Sequence, residues 1–238
     1  MKQSTLIILH GWTKDQNQWQ PLIKNLGDQG CQVVNPVLPG FGKEKLTKAW
    51  DLEEYCHWLG KYLVDKKINR YILLGHSNGG RIGAYYASQR PSGLKKLILI
   101  SSAGIKKGWN LKKTVFWLLA KMGRIVFSLP GLRYLLPPAR RWLYRFAGEK
   151  DYYQADKNLA KTMVNLIRID LSLSLSKIKV PTLILWGIKD KTTPLKEGLI
   201  FKKKIENSRL VLFPDAGHDL LYQQSEAIIE EILIFLKA

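Results

Sequence analysis

The feature that most constrains this chain is a set of short, wholly apolar runs, each separated from the next by a segment of helical periodicity. Leu97-Ile98-Leu99-Ile100 and Leu183-Ile184-Leu185-Trp186 carry no polar residue on either side of a strand's pleat. A strand reads that way when helices cover both faces of its sheet, so the alternation implies βαβ units and a parallel sheet. Strands are expected at 5–9, 32–37, 71–74, 96–101, 182–186 and 209–213, and helices at 19–28, 52–66, 78–89, 196–204 and 225–236. In the last helix Ile228, Ile229, Ile232, Leu233 and Leu236 recur at helical spacing, with Glu230 and Glu231 on the other side. The expected fold class is α/β, with about six mostly parallel strands flanked by helices.

Between about Ala103 and Lys179 the alternation stops. This stretch is helical in pattern, rich in aromatic and basic residues, and punctuated by Pro130, Gly131, Pro137 and Pro138. It reads as a helical insertion, giving a core of 1–104 and 179–238 and a cap of 105–178. A length of 238 residues suits one such domain, and buries enough apolar surface to need no disulfide or structural metal. Cys31 and Cys56 form no disulfide framework, and no Cys/His cluster suggests zinc. Neither a metal nor a cofactor is expected, and two free thiols fit a reducing cytoplasm. The first apolar run, Leu6-Ile7-Ile8-Leu9, is too short for a signal peptide. The stretch 115–129 is interrupted by Lys121 and Arg124 and falls short of the ~20 apolar residues that span a bilayer. The expectation is a cytoplasmic protein, peripheral to a membrane at most.

The formal net charge is +19, and more than half of it falls within 105–178. From Ile105 to Gly148 there are ten basic residues and no acidic ones, with Trp109, Trp117, Trp142 and several Phe and Tyr interleaved. One reading is a lid whose apolar faces cover a site while its lysines face water. A second is an amphipathic surface that meets an anionic membrane. A third is electrostatic steering of an anionic substrate. Nucleic acid is not expected as a partner, since no recognisable binding module accompanies the charge.

The chemistry concentrates at strand ends. Gly75-His76-Ser77-Asn78-Gly79 follows an apolar strand and precedes a helix with small residues at Gly79, Gly80, Gly83 and Ala84. A sharp strand-to-helix turn of this kind lifts a serine hydroxyl above the sheet edge, and the glycines let strand and helix approach closely. A serine hydroxyl is a poor nucleophile until a base accepts its proton, and an imidazole does so best when a carboxylate holds its tautomer. Asp190 and His218 each lie just past a strand, where ligands of open α/β sheets collect. Of the four histidines, His57 sits mid-helix, His76 lies inside the turn, and His10 is expected to be a structural histidine hydrogen-bonded under its loop; His218 is left as the base. Asp215 and Asp219 are expected to point elsewhere, as loop and helix-cap residues. Arg81, one turn past Ser77, is a candidate to reach the cap or an acidic substrate group, or else a solvated or paired helix residue.

Taken together, His10-Gly11-Trp12 with Trp19 downstream, Leu38-Pro39-Gly40-Phe41-Gly42, the turn around Ser77, Trp186-Gly187-Ile188-Lys189-Asp190 and Gly217-His218 resemble the α/β-hydrolase superfamily, in the branch of small serine carboxylesterases. The resemblance covers about residues 5–104 and 179–238. It implies a Ser77, Asp190, His218 triad in the chain order of that fold, and an oxyanion hole made by the backbone N–H groups of Trp12 and Asn78. It also implies that the chain begins at the family's third strand, without the usual N-terminal hairpin. Relatives that use an aspartate at the turn, the haloalkane dehalogenases and epoxide hydrolases, are disfavoured by Ser77. The expected activity is hydrolysis of carboxylic esters through an acyl-enzyme. Carbon–carbon bond hydrolysis or lysis of an anionic substrate, thioester hydrolysis, and a non-catalytic or membrane-associated role on the same scaffold stay open.

Overall fold

The computed structural model describes residues 4–13, 17–43, 45–106 and 157–238. The expectations placed on the basic, aromatic part of the cap fall on 107–156 and lie outside the described residues. The strands are β1 (Thr5–Leu9), β2 (Val33–Val34), β3 (Tyr71–His76), β4 (Leu94–Ile100), β5 (Thr182–Gly187) and β6 (Ser208–Phe213). The helices are α1 (Gln20–Asp28), α2 (Leu52–Asp65), α3 (Asn78–Ser88), α4 (Lys157–Arg168), α5 (Leu195–Lys204), α6 (Leu220–Gln223) and α7 (Ser225–Lys237).

The six strands form one sheet in the order β2-β1-β3-β4-β5-β6. Every neighbouring pair is parallel. The chain leaves β1 toward one edge and returns at β3 to build toward the other, so the strand order reverses at the carboxyl ends of β1 and β3. Open α/β sheets bind ligands in the crevice that such a reversal opens.

The strands are apolar on both faces because both faces are covered. Ile7, Leu9, Leu73, Leu97, Leu99, Ile184 and Trp186 join one buried cluster with α2, α3, α4 and α5. Their alternates Leu6, Ile8, Leu74, Ile98, Ile100, Leu183 and Leu185 join a second cluster with α1, α6 and α7. Alternate Cβ atoms point to opposite faces of a sheet, so continuous hydrophobicity is the only pattern that fills both layers. The strand expected at 32–37 contracts to Val33–Val34. Pro36 has no N–H to give a ladder, which ends the pairing early at this sheet edge.

The described end of the inserted stretch is tied to the core. Leu159, Leu166, Leu171 and Leu175 belong to the first cluster. Trp50 N–H donates to Thr162 Oγ1 at 2.7 Å, Asn158 Nδ2 donates to the Leu46 carbonyl at 2.8 Å, and Asn165 Nδ2 donates to the Trp50 carbonyl at 3.2 Å. Among the described residues no helix is long and apolar enough to cross a membrane. Cys31 and Cys56 are free thiols.

Candidate active site

Ser77 sits between β3 and α3 with φ +52° and ψ −114°, a conformation that L residues seldom adopt. The turn around it holds that conformation in place. Ser77 N–H donates to the Ile100 carbonyl at 3.1 Å, and the Ser77 carbonyl accepts from Ala103 N–H at 2.9 Å and Arg81 N–H at 3.1 Å. Gly79 explains how the helix can start so close to the sheet, since a Cβ there would lie 1.9 Å from the Leu9 carbonyl oxygen. Gly11 lets the loop after β1 run against the serine; its Cβ would lie 3.2 Å from Ser77 Cβ. The backbone entering Trp12 thus passes beside Ser77, and Asn78 opens α3, where a first-turn amide has no partner within its own helix.

The structure brings Ser77, His218 and Asp190 into one line. Ser77 Oγ lies 3.0 Å from His218 Nε2, and His218 Nδ1 lies 2.9 Å from Asp190 Oδ2. A carboxylate can only accept, so Nδ1 carries the ring proton and Nε2 accepts from the serine hydroxyl. Asp190 is closed to solvent, whereas His218 remains 19% exposed at its side chain. Burial by itself would raise the Asp190 carboxyl, but hydrogen bonds from His218 and from the Thr193 hydroxyl and amide hold it below its ordinary value. Asp215 points away into an exposed ion pair with Lys189 at 2.9 Å, and Asp219 occupies the N-cap position of α6.

His10 is buried, with Nδ1 donating to the Gly11 carbonyl at 2.8 Å and Nε2 accepting from Leu38 N–H at 2.9 Å. It joins the loop after β1 to the Leu38-Pro39-Gly40 turn. Burial lowers its pKa to about 4, against the opposing effect of the Gly11 carbonyl, so it stays neutral with both nitrogens used. Arg81 is buried rather than solvated. Burial draws its pKa down to about 10, while the Glu197 carboxylate on α5 favours its charge.

One contributor was missed at the level of sequence. Thr193 is buried, and its hydroxyl donates to Asp190 Oδ2 at 2.7 Å while lying 3.3 Å from His218 Nδ1. Its amide and that of Thr192 both donate to Asp190 Oδ1 at 2.8 Å. The available signal was an aspartate followed at two and three residues by threonines and then Pro194, the composition of a side-chain-capped turn.

The family described as alpha/beta hydrolase fold matches residues 4–224. The chain is 24% identical over 247 residues to a pimeloyl-[acyl-carrier protein] methyl ester esterase of Pseudoalteromonas atlantica, covering 95% of this chain and 92% of that protein. It is 27% identical over 254 residues to a 2-hydroxy-6-oxononadienedioate/2-hydroxy-6-oxononatrienedioate hydrolase of Escherichia coli, covering 98% and 86%. Among solved structures it resembles an esterase from Exiguobacterium antarcticum, with a TM-score of 0.77, 22% identity, and coverage of 99% and 92%.

Proposed function

The chain belongs to the alpha/beta hydrolase fold family, and from that premise we propose that it cleaves carboxylic esters through an acyl-enzyme on Ser77. The observation that carries this reading is the contact of Ser77 Oγ with His218 Nε2 at 3.0 Å, backed by that of His218 Nδ1 with Asp190 Oδ2 at 2.9 Å. Ser77 Oγ attacks the ester carbonyl as its proton passes to His218 Nε2. The carbonyl oxygen gains the negative charge, and the N–H groups of Trp12 and Asn78 stabilise it. On collapse, the C–O bond to the alcohol breaks and His218 returns the proton to that oxygen. Water then attacks the acyl carbon through the same base, and the acid leaves with Ser77 restored. Asp190 keeps the imidazole in its Nδ1–H tautomer throughout and offsets the charge of the imidazolium. No cofactor takes part in this scheme.

The insertion of 105–178 is assigned as the cap over this site, with the described α4 as its anchored return to the core. Its excess of basic residues suits an acyl group or leaving group that carries negative charge. A second reading is hydrolysis of a carbon–carbon bond in an anionic dienone acid on the same triad. It is favoured by the activity for which the Escherichia coli relative is named.

The test compares wild type with Ser77→Ala on p-nitrophenyl acetate and butyrate, on a matching thioester and on a dienone acid. The expected result is ester turnover that falls by roughly 10³-fold or more in the variant. Equal turnover of the two proteins on every ester would refute the proposal. Serine-dependent turnover of the dienone acid alone would move the assignment to the second reading.

A further inference from the structure

His76 ends β3 immediately before Ser77, and its ring is buried under the site, where the scheme above gives it no part. Its Nε2 lies 3.2 Å from the backbone carbonyl oxygen of His218. A carbonyl only accepts, so Nε2 must carry the proton, and Nδ1 is then an acceptor. That Nδ1 has no hydrogen-bond partner among the described residues. The ring is confined on its other sides as well. A Cβ added to Gly11 would lie 3.1 Å from His76 Nδ1, the Trp19 ring stands edge-on at 6.2 Å, and the His218 ring lies 5.1 Å away at an angle of 41°. Burial first, and then the proximity of His218, lowers the His76 pKa to about 4, so the ring stays neutral with a single donor in the physiological range.

We propose that His76 is a positioning residue whose Nε2–H···O=C bond to His218 fixes the backbone of the base over the nucleophile. The inference rests on reading Ser77 and His218 as nucleophile and base. The physical need arises within the reaction cycle. Once Ser77 is acylated its hydroxyl proton is gone, so the imidazole loses that tether and keeps its side-chain bond to Asp190. A ring held by one bond swings about it. The loop before His218 is secured by Lys189 N–H to the Ala216 carbonyl at 2.9 Å and by Gly217 N–H to Gln223 Oε1 at 2.7 Å. The carbonyl of His218 itself is secured by His76. Because His76 and Ser77 are adjacent in the chain, one strand end sets the height of both the nucleophile and the anchor of its base.

The test uses the full chain with His76→Leu, which removes the donor, and His76→Gln, whose amide nitrogen reaches about as far as the imidazole Nε2. His76→Leu is expected to lose roughly 10- to 100-fold in kcat with KM little changed, the size that follows from a displacement of about 1 Å in a catalytic group. Labelling of Ser77 by a fluorophosphonate, which starts from the free hydroxyl still bonded to His218, slows as well but by less than kcat, and His76→Gln recovers most of both. A folded His76→Leu protein with wild-type kcat and labelling rate overturns the inference, and so does a folded His76→Gln protein as impaired as His76→Leu. Should His76→Leu not fold, ¹⁵N NMR of the wild-type histidines decides. Protonated Nε2 with bare Nδ1 at His76 supports the proposal, and the opposite tautomer overturns it. If wild type itself shows no Ser77-dependent labelling or turnover, the esterase reading fails and the inference falls with it; failure of the inference alone leaves that dependence intact.

Discussion

Thr193 shows how much of a site can rest on a residue that no motif announces. Its amide and hydroxyl supply two of the hydrogen bonds that keep the buried Asp190 carboxylate charged and aimed at His218. Hydrogen bonds to a charged group are worth about 1.5–3 kcal/mol, and a carboxylate closed to water has no substitute for a lost one. Thr193→Val keeps the shape and the amide but removes the hydroxyl, so the carboxyl rises toward its ordinary value and the imidazole is less firmly held. We expect kcat to fall roughly tenfold, by the free energy of one such bond, with Thr193→Ser restoring most of it. Unchanged kcat in a folded Thr193→Val protein would remove the threonine from the assembly. Ser77, Asp190 and His218 could each be named as candidates from strand ends and residue type. Thr193 was not, because its partners are chosen by how the loop after β5 folds back on itself. Arg81 could be singled out but not assigned, since its burial near Glu197 depends on where the start of α5 comes to lie in the folded chain.

Among the described elements, α3 and β1 approach very closely at Gly79. Gly79→Ala puts a methyl carbon 1.9 Å from the Leu9 carbonyl oxygen, and neither β1 nor α3 can retreat without opening the sheet. The expected cost exceeds about 4 kcal/mol, the range reserved for buried clashes of this kind. Gly60 is the contrast. It lies within α2, where an added Cβ meets nothing within 4 Å, so Gly60→Ala gains about 0.5–1 kcal/mol by restricting the unfolded chain. Thermal unfolding checks the pair: a Tm higher by about 1–4 °C for Gly60→Ala, and a collapse of Tm or yield for Gly79→Ala. A Gly79→Ala protein as stable as wild type would contradict the close approach. The start of α2 was expected at 52 from periodicity and lies there, where Asp51 and Glu54 form a reciprocal capping box. The anchoring of α4 was not. Thr162 and Asn158 each meet a partner 112 residues away, and local pattern carries no information at that separation.

For the whole molecule, two histidines buried neutral make stability depend on acid. Unfolded, His10 and His76 take up protons near 6.5; folded, each resists until about 4. Between those values the unfolded chain binds more protons, so the free energy of unfolding falls as pH drops from about 6.5 to about 4 and levels off below. The slope approaches about 1.4 kcal/mol per pH unit for each histidine. Asp190, whose carboxyl is held below its ordinary value, adds its own loss as pH falls through the carboxylate range. Tm measured at pH 7, 5.5 and 4.5 should therefore decline steeply in wild type and less steeply in His76→Gln; equal slopes would place the acid sensitivity elsewhere. The sequence by itself determined the layered α/β architecture, because covering a parallel sheet on both faces leaves only continuous apolar strands, and that pattern is local. It also determined which residue types stood at which strand ends. What the tertiary structure alone decided was distance: the order β2-β1-β3-β4-β5-β6 that sets the ends of β3, β5 and β6 along one rim, the reach from Ser77 to His218 across 141 residues, and the bond from His76 to the backbone of His218. Such contacts arise from how helices and strands pack, and packing is a property of the assembled layers, which no window of neighbouring residues contains.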